Sequence, residues 1–203
     1  KKYWDLYQRE DMIVAPFQEK AKNSVDVAYH NAGEMRGYSD IPPLVSFTDQ
    51  KGNTVNEKNV EGKIYVSNFF FTKCRSICPK MTSHMFLLQE YYKKDNAIFL
   101  LSHSVTPESD SVATLKAYSE LNKVDYSKWR LLTGSKKEIY SLARQQYFAG
   151  DSIGVYQSDK DFLHTENFIL IDKHRRIRGV YNGTLLVEID RIKEDIEILK
   201  HEN

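Results

Sequence analysis

The chain has 203 residues, the size of one domain at the usual ~150 residues each, and a net charge of +1 from 29 basic and 28 acidic residues. That balance, with no block of like charge, argues against a nucleic-acid partner. Hydrophobic residues make up 41%, with 13 Tyr and 10 Phe, enough for a core and too many for a disordered chain, and a mean hydropathy of −0.56 with no apolar run near the ~18 residues of a membrane span excludes a spanning helix.

The chain opens on Lys1-Lys2-Tyr3-Trp4 without a start Met or apolar leader, so the expectation is a trimmed chain with room for a signal or membrane anchor upstream. Residues 1–40 carry the weakest signals. A short helix over Asp5 to Ala21 is interrupted by Pro16, and Asn31 to Pro43 is rich in Gly and Pro and reads as loop. Two domains of the reading follow: an N-terminal extension over 1–40 and a folded domain over 41–203.

From Leu44 the signals sharpen. Leu44 to Phe47 and Thr54-Val55 flank a turn at Asp49 to Asn53 and predict a hairpin. Ile64 to Phe71 reads as a strand buried on both faces. Met81, Met85, Leu88 and Tyr92 recur at helical spacing, and Ala97 to Leu101 is a second apolar strand. Thr106-Pro107-Glu108 predicts a helix start, with Thr as N-cap and Pro at the first helical position. Trp129 to Leu132 reads as strand, Ser135 to Gln145 as helix, and Tyr147 to Leu163 as a β-hairpin. Phe168 to Ile171 and Ile177 to Tyr181 are strands. In the last helix, Thr184 to Lys200, Leu185, Ile189, Ile192, Ile196 and Leu199 form one apolar stripe. Alternating strands and helices imply an α/β fold, a central mixed sheet flanked by helices.

The two cysteines, Cys74 and Cys78, fall where a buried strand feeds a helix, at the carboxyl end of that strand, the usual place for a site in an open α/β sheet. Four residues apart, they are expected to share a helix face. The helix N-terminus and nearby Lys73 and Arg75 favour thiolate. A redox couple and a soft-metal site both remain open. Structural zinc does not, for want of a second Cys/His pair.

A two-sulfur metal site needs a further ligand. Of the histidines, His30, His84, His103, His164, His174 and His201, His164 stands out by position. It precedes the strand Phe168–Ile171, and in a thioredoxin-like sheet that loop faces the dithiol. Thioredoxins carry a cis-proline there, whereas this chain has no proline after Pro107. His103 ends a neighbouring strand and is the next candidate. His84 falls off the cysteine face, and His174 lies in a charged turn.

The stretch Asn68-Phe69-Phe70-Phe71-Thr72-Lys73-Cys74-Arg75-Ser76-Ile77-Cys78-Pro79-Lys80-Met81-Thr82 resembles the F-T-x-C-P-x-x-C-P-x-M-T signature of the SCO/SenC family, thioredoxin-fold copper-handling proteins. Gly62-Lys63, Leu132-Thr133-Gly134 and Asp161-Phe162-Leu163-His164 before Phe168 match in order and spacing. The resemblance spans about Ile41 to Leu199. It implies that Cys74, Cys78 and His164 hold copper as Cu(I) or Cu(II), with the cysteines also a redox pair. It further implies a metallochaperone that supplies the binuclear site on the copper-bearing subunit of cytochrome c oxidase, or another copper carrier. A monomer with no nucleic-acid partner, placed in the periplasm or cell envelope, is expected. Two positions depart from the pattern: Arg75 stands where the family has Pro, and Thr106 replaces the first Asp of D-P-E-x-D, an Asp associated with copper handling or partner docking.

The rival reading is an extracytoplasmic thiol–disulfide reductase of thioredoxin-like fold. The C-x-x-x-C spacing differs from the C-x-x-C of general oxidoreductases. A thiol peroxidase would need Pro and Thr or Ser where Ser67 and Phe71 stand. A static disulfide would leave His164 without a role.

Overall fold

A computed structural model describes residues 46–147 and 165–202. The extension expected over 1–40, the hairpin expected over Tyr147–Leu163 (Tyr147 itself excepted) and His164 lie outside the described residues.

In chain order the elements are β1 (Phe47–Asp49), β2 (Thr54–Val55), a one-turn helix (Glu57–Asn59), β3 (Ile64–Phe70), α1 (Cys78–Tyr91), β4 (Ile98–Ser104), α2 (Val112–Leu121), β5 (Trp129–Thr133), α3 (Lys136–Ser141) continued by a π turn (Leu142–Gln146), β6 (Asn167–Ile171), β7 (Ile177–Asn182) and α4 (Leu186–His201). The strands form one sheet in the order β2-β1-β5-β4-β3-β6-β7. β3, β4 and β5 run parallel, while β1 and β6 join antiparallel on either side. The expected β1–β2 hairpin closes through Gly52, whose φ of 83° is a conformation that glycine adopts without strain.

β3 and β4 are buried at every position, so their two faces feed two separate cores. Ile64, Val66 and Phe70 of β3 and Leu100 of β4 face α1, α4 and Leu115 of α2. Tyr65, Phe69, Phe99 and Leu101 face α3, Phe47 and Tyr147. The first core also contains a polar thread across three strands. The Trp129 indole N–H donates to Ser102 Oγ at 2.8 Å, and Ser102 donates to Asn68 Oδ1 at 2.5 Å.

The apolar stripe of the last helix holds as expected at Ile189, Ile192, Ile196 and Leu199, all buried, while Leu185 precedes the helix and is exposed. The helix expected at Thr106 begins later, at Val112, where the Ser111 side chain caps the N–H of Thr114. Residues 106–110 form a separate turn in which Ser109 and Asp110 N–H groups donate to the Thr106 carbonyl. The Thr106 hydroxyl donates to Asp110 and is thus not available to cap a helix.

Candidate metal centre

β3 delivers the chain to the carboxyl edge of the sheet, and residues 71–77 cross from Phe70 to α1. The Cys74 N–H donates to the Phe71 carbonyl at 3.2 Å, turning the loop back on the strand end. Cys78 opens α1, with Pro79 in the first turn, where its missing N–H is no loss. The shared helix face expected from spacing is therefore not what joins the cysteines. Cys74 stands in the loop and Cys78 in the helix, and the turn brings both into one apolar cluster with Phe70, Met81, Phe71 and Tyr118. Both are free thiols, 8% and 4% exposed.

The two sulfurs are electrostatically unequal. Burial pushes the Cys74 thiol up. The Cys78 thiol beside it, the Ser76 hydroxyl and the backbone N–H groups of Cys78 and Ser76 more than offset this and hold it at about 7. The Ser76 Oγ lies 3.5 Å from Cys74 Sγ. Cys78 is pushed up to about 12, by burial first and then by Cys74. The inequality suits a pair that loses its protons in two steps. Lys73 and Arg75 flank the site and are exposed.

A carboxylate that sequence reasoning assigned no role lies under this loop. Asp110 is fully buried and accepts from the Thr72 hydroxyl at 2.5 Å, the Thr72 N–H at 3.2 Å, the Ser104 hydroxyl at 2.5 Å and the Thr106 hydroxyl at 3.2 Å. It thus ties the end of β3 to the end of β4. The available signal was the placement of hydroxyl residues just beyond two adjacent parallel strands. The Tyr118 and Thr82 hydroxyls share a 2.7 Å bond in the same region. Burial pushes the Tyr118 phenol up, and its bond to Thr82 offsets part of that rise.

The candidate histidines disperse. His103 is at the right edge of the sheet but on the opposite face, stacked on Phe69 at 5.4 Å and edge-on to Phe47 at 5.2 Å. Alternation along β4 dictates this, since Leu100 faces the cysteine core and His103 is three residues on. His84 is buried on α1 and donates from Nδ1 to the Gly183 carbonyl at 2.8 Å. His174 and His201 are exposed, and His30 and His164 lie outside the described residues. Among the described residues no group of three or more His, Cys, Asp or Glu is placed to hold a metal. Nor is any helix among them long and apolar enough to cross a membrane.

The described donor set is therefore two soft sulfurs, which suits Cu(I) better than a hard cation. Thr165, the first described residue after the gap, is buried and leads into β6. β6 runs antiparallel to β3, pairing Phe168 with Asn68, so it starts at the edge where the cysteine loop leaves.

Residues 34–200 match the SCO1/SenC family. The SCO1 protein homolog of Bacillus subtilis (strain 168) is 30% identical over 160 residues, 78% of this chain and 81% of that protein. Among solved structures, a SCO1/SenC family lipoprotein from Bacillus anthracis str. Ames is 29% identical, with a TM-score of 0.69 over 81% of this chain and 97% of that one. BsSco, a Sco-family cytochrome c oxidase assembly protein with a disulfide switch, is 28% identical, with a TM-score of 0.66 over 82% and 96%. ScoI of Bradyrhizobium japonicum, solved with copper bound, is 25% identical, with a TM-score of 0.61 over 78% and 98%. The fold is the thioredoxin-like fold of these proteins. With a family match spanning most of its length, the chain belongs to the SCO1/SenC family.

Proposed function

We propose that this protein is a copper-binding assembly factor in which Cys74, Cys78 and His164 hold copper as cargo. It would deliver that copper to the binuclear site on the copper-bearing subunit of cytochrome c oxidase or to another copper carrier. The observation that carries the reading is the pair of buried free thiols converging from a loop and a helix start, one of them held at about 7. Copper in the Bradyrhizobium relative and oxidase assembly in BsSco support it. His164 enters on sequence position, one residue before buried Thr165 at the cysteine edge of the sheet.

Two thiolates and one imidazole make a three-coordinate donor set suited to Cu(I), and added oxygen or nitrogen ligands accommodate Cu(II). Oxidation of both thiols to a disulfide removes two electrons, two protons and two of the three donors, so metal load and redox state are coupled. Such chemistry belongs in an extracytoplasmic compartment, the periplasm or cell envelope, and the lipoprotein relative accords with a membrane anchor upstream. Residues 41–203 would form the working domain and 1–40 an extension.

Anaerobic titration of the reduced protein with Cu(I), Cu(II) and Zn(II) tests the reading. His164→Ala should weaken copper binding strongly, with His103→Ala and His174→Ala doing much less. If His164→Ala binds copper like wild type while Cys78→Ala does not, the three-ligand set is wrong. The thiol–disulfide reductase reading, which the inequality of the two thiols favours, then takes first place.

A further inference from the structure

Asp110 carries an inference that rests on the reading of Cys74 and Cys78 as the working pair. Among the described residues, every group that donates to it is uncharged, three hydroxyls and one backbone N–H. A fully buried carboxylate is expensive, and joining two strand ends does not by itself require one. Thr72 engages both carboxylate oxygens, its hydroxyl at Oδ1 and its N–H at Oδ2, which fixes the orientation of the residue and not only its distance. Two residues on, the Phe71–Cys74 turn places the first sulfur. Elsewhere in the crossing the side chains of Phe71, Cys74 and Ile77 are held by apolar packing, which is not directional, while Lys73, Arg75 and Ser76 are exposed.

We propose that Asp110 is a positioning residue for the cysteine pair. Through Thr72 it holds the loop bearing Cys74 against the end of β4, and so sets how readily the two sulfurs take up metal. Thr106, standing where the family has its first Asp, serves the same carboxylate through its own hydroxyl. The hydroxyls of Thr72, Ser104 and Thr106 thereby meet on one residue beneath the loop.

The test compares Thr72→Val, Thr72→Ser and Asp110→Asn in the full chain by three readouts. These are the rate at which iodoacetamide alkylates Cys74 in the reduced, copper-free protein, Cu(I) affinity by chelator competition, and thermal stability. Thr72→Val and Asp110→Asn should free the loop, speeding alkylation about tenfold and weakening Cu(I) binding about 10- to 100-fold, as loss of a supporting hydrogen bond does at metal sites. Thr72→Ser, which keeps the hydroxyl, should behave like wild type. Should Asp110→Asn fail to fold, the Val and Ser variants at Thr72 decide. If Thr72→Val alkylates like wild type, whatever its melting temperature, the proposal falls. If wild type itself takes up no copper, the copper reading fails, and the alkylation rates still decide the role of Asp110.

Discussion

His84 on the cysteine helix donates from Nδ1 to the Gly183 carbonyl at 2.8 Å, across 99 residues of chain. The bond joins α1 to the turn ahead of α4, and both partners are buried. A side chain at Gly183 would meet the Phe168 ring at 2.5 Å and the Glu166 carbonyl at 2.9 Å, so the close approach depends on glycine. Replacing His84 with Phe orphans a buried carbonyl and should lower stability by about 1–3 kcal/mol in urea unfolding. Copper stoichiometry should be unchanged. Loss of copper from a folded His84→Phe protein would instead make His84 part of the site.

His103 predicts an acid sensitivity. Neither ring nitrogen has a partner among the described residues, and burial depresses the pKa from 6.5 to about 3. Above pH 6.5 neither state is protonated and the group has no effect. Between 6.5 and about 3 the unfolded chain takes up a proton that the native ring refuses, so stability falls by about 1.4 kcal/mol per pH unit. His103→Phe should flatten that part of the stability–pH profile by one proton. Equal slopes in the two proteins would show that the ring titrates normally.

Copper uptake should also depend on pH. Cys78, pushed up to about 12, is a thiol at neutral pH, while Cys74 loses its proton at about 7. Counting the thiols alone, Cu(I) displaces one proton above pH 7 and two below. As pH is lowered, apparent affinity should fall about tenfold per unit above pH 7 and about a hundredfold per unit below it. Chelator competition on either side of pH 7 measures both slopes. A flat profile would mean that thiolates are not the ligands.

Ile192 lies fully buried in the stripe of α4. Ile192→Asp should lose several kcal/mol of stability, as an unpaired buried charge does. Any loss of copper binding should track the unfolded fraction measured by circular dichroism. A folded variant that fails to bind would implicate α4 in the site.

The elements that were legible in the sequence are those whose packing follows one period. The four-three stripes of α1 and α4 and the nearly continuous apolar run of β3, broken only at Ser67-Asn68, correspond to real burial. What was not legible depends on contacts between segments far apart. Thr106 looked like an N-cap because its preferred partner, Asp110, is fixed by tertiary structure rather than by helix rules. Cys74 looked helical because spacing alone does not register the turn at Phe71. His103 was readable in principle, since strand alternation puts it on the face away from the cysteines. The role of Asp110 was not, because its donors come from two different strand ends.

The Trp129–Ser102–Asn68 thread has a consequence for assembly of the sheet. Parallel strands have no tight turn to set their alignment, and an apolar run such as β3 would tolerate several. A slip by one residue would leave an indole N–H, a hydroxyl and an amide stranded in a dry layer, so the thread acts as a key that admits one alignment. That alignment pairs Phe70 with Ser104 and so sets the level at which Thr72 and Ser104 reach the same carboxylate. Misalignment deep in the core would therefore surface first as a displaced cysteine, which makes thiol reactivity a sensitive gauge of whether the central strands have zipped in step.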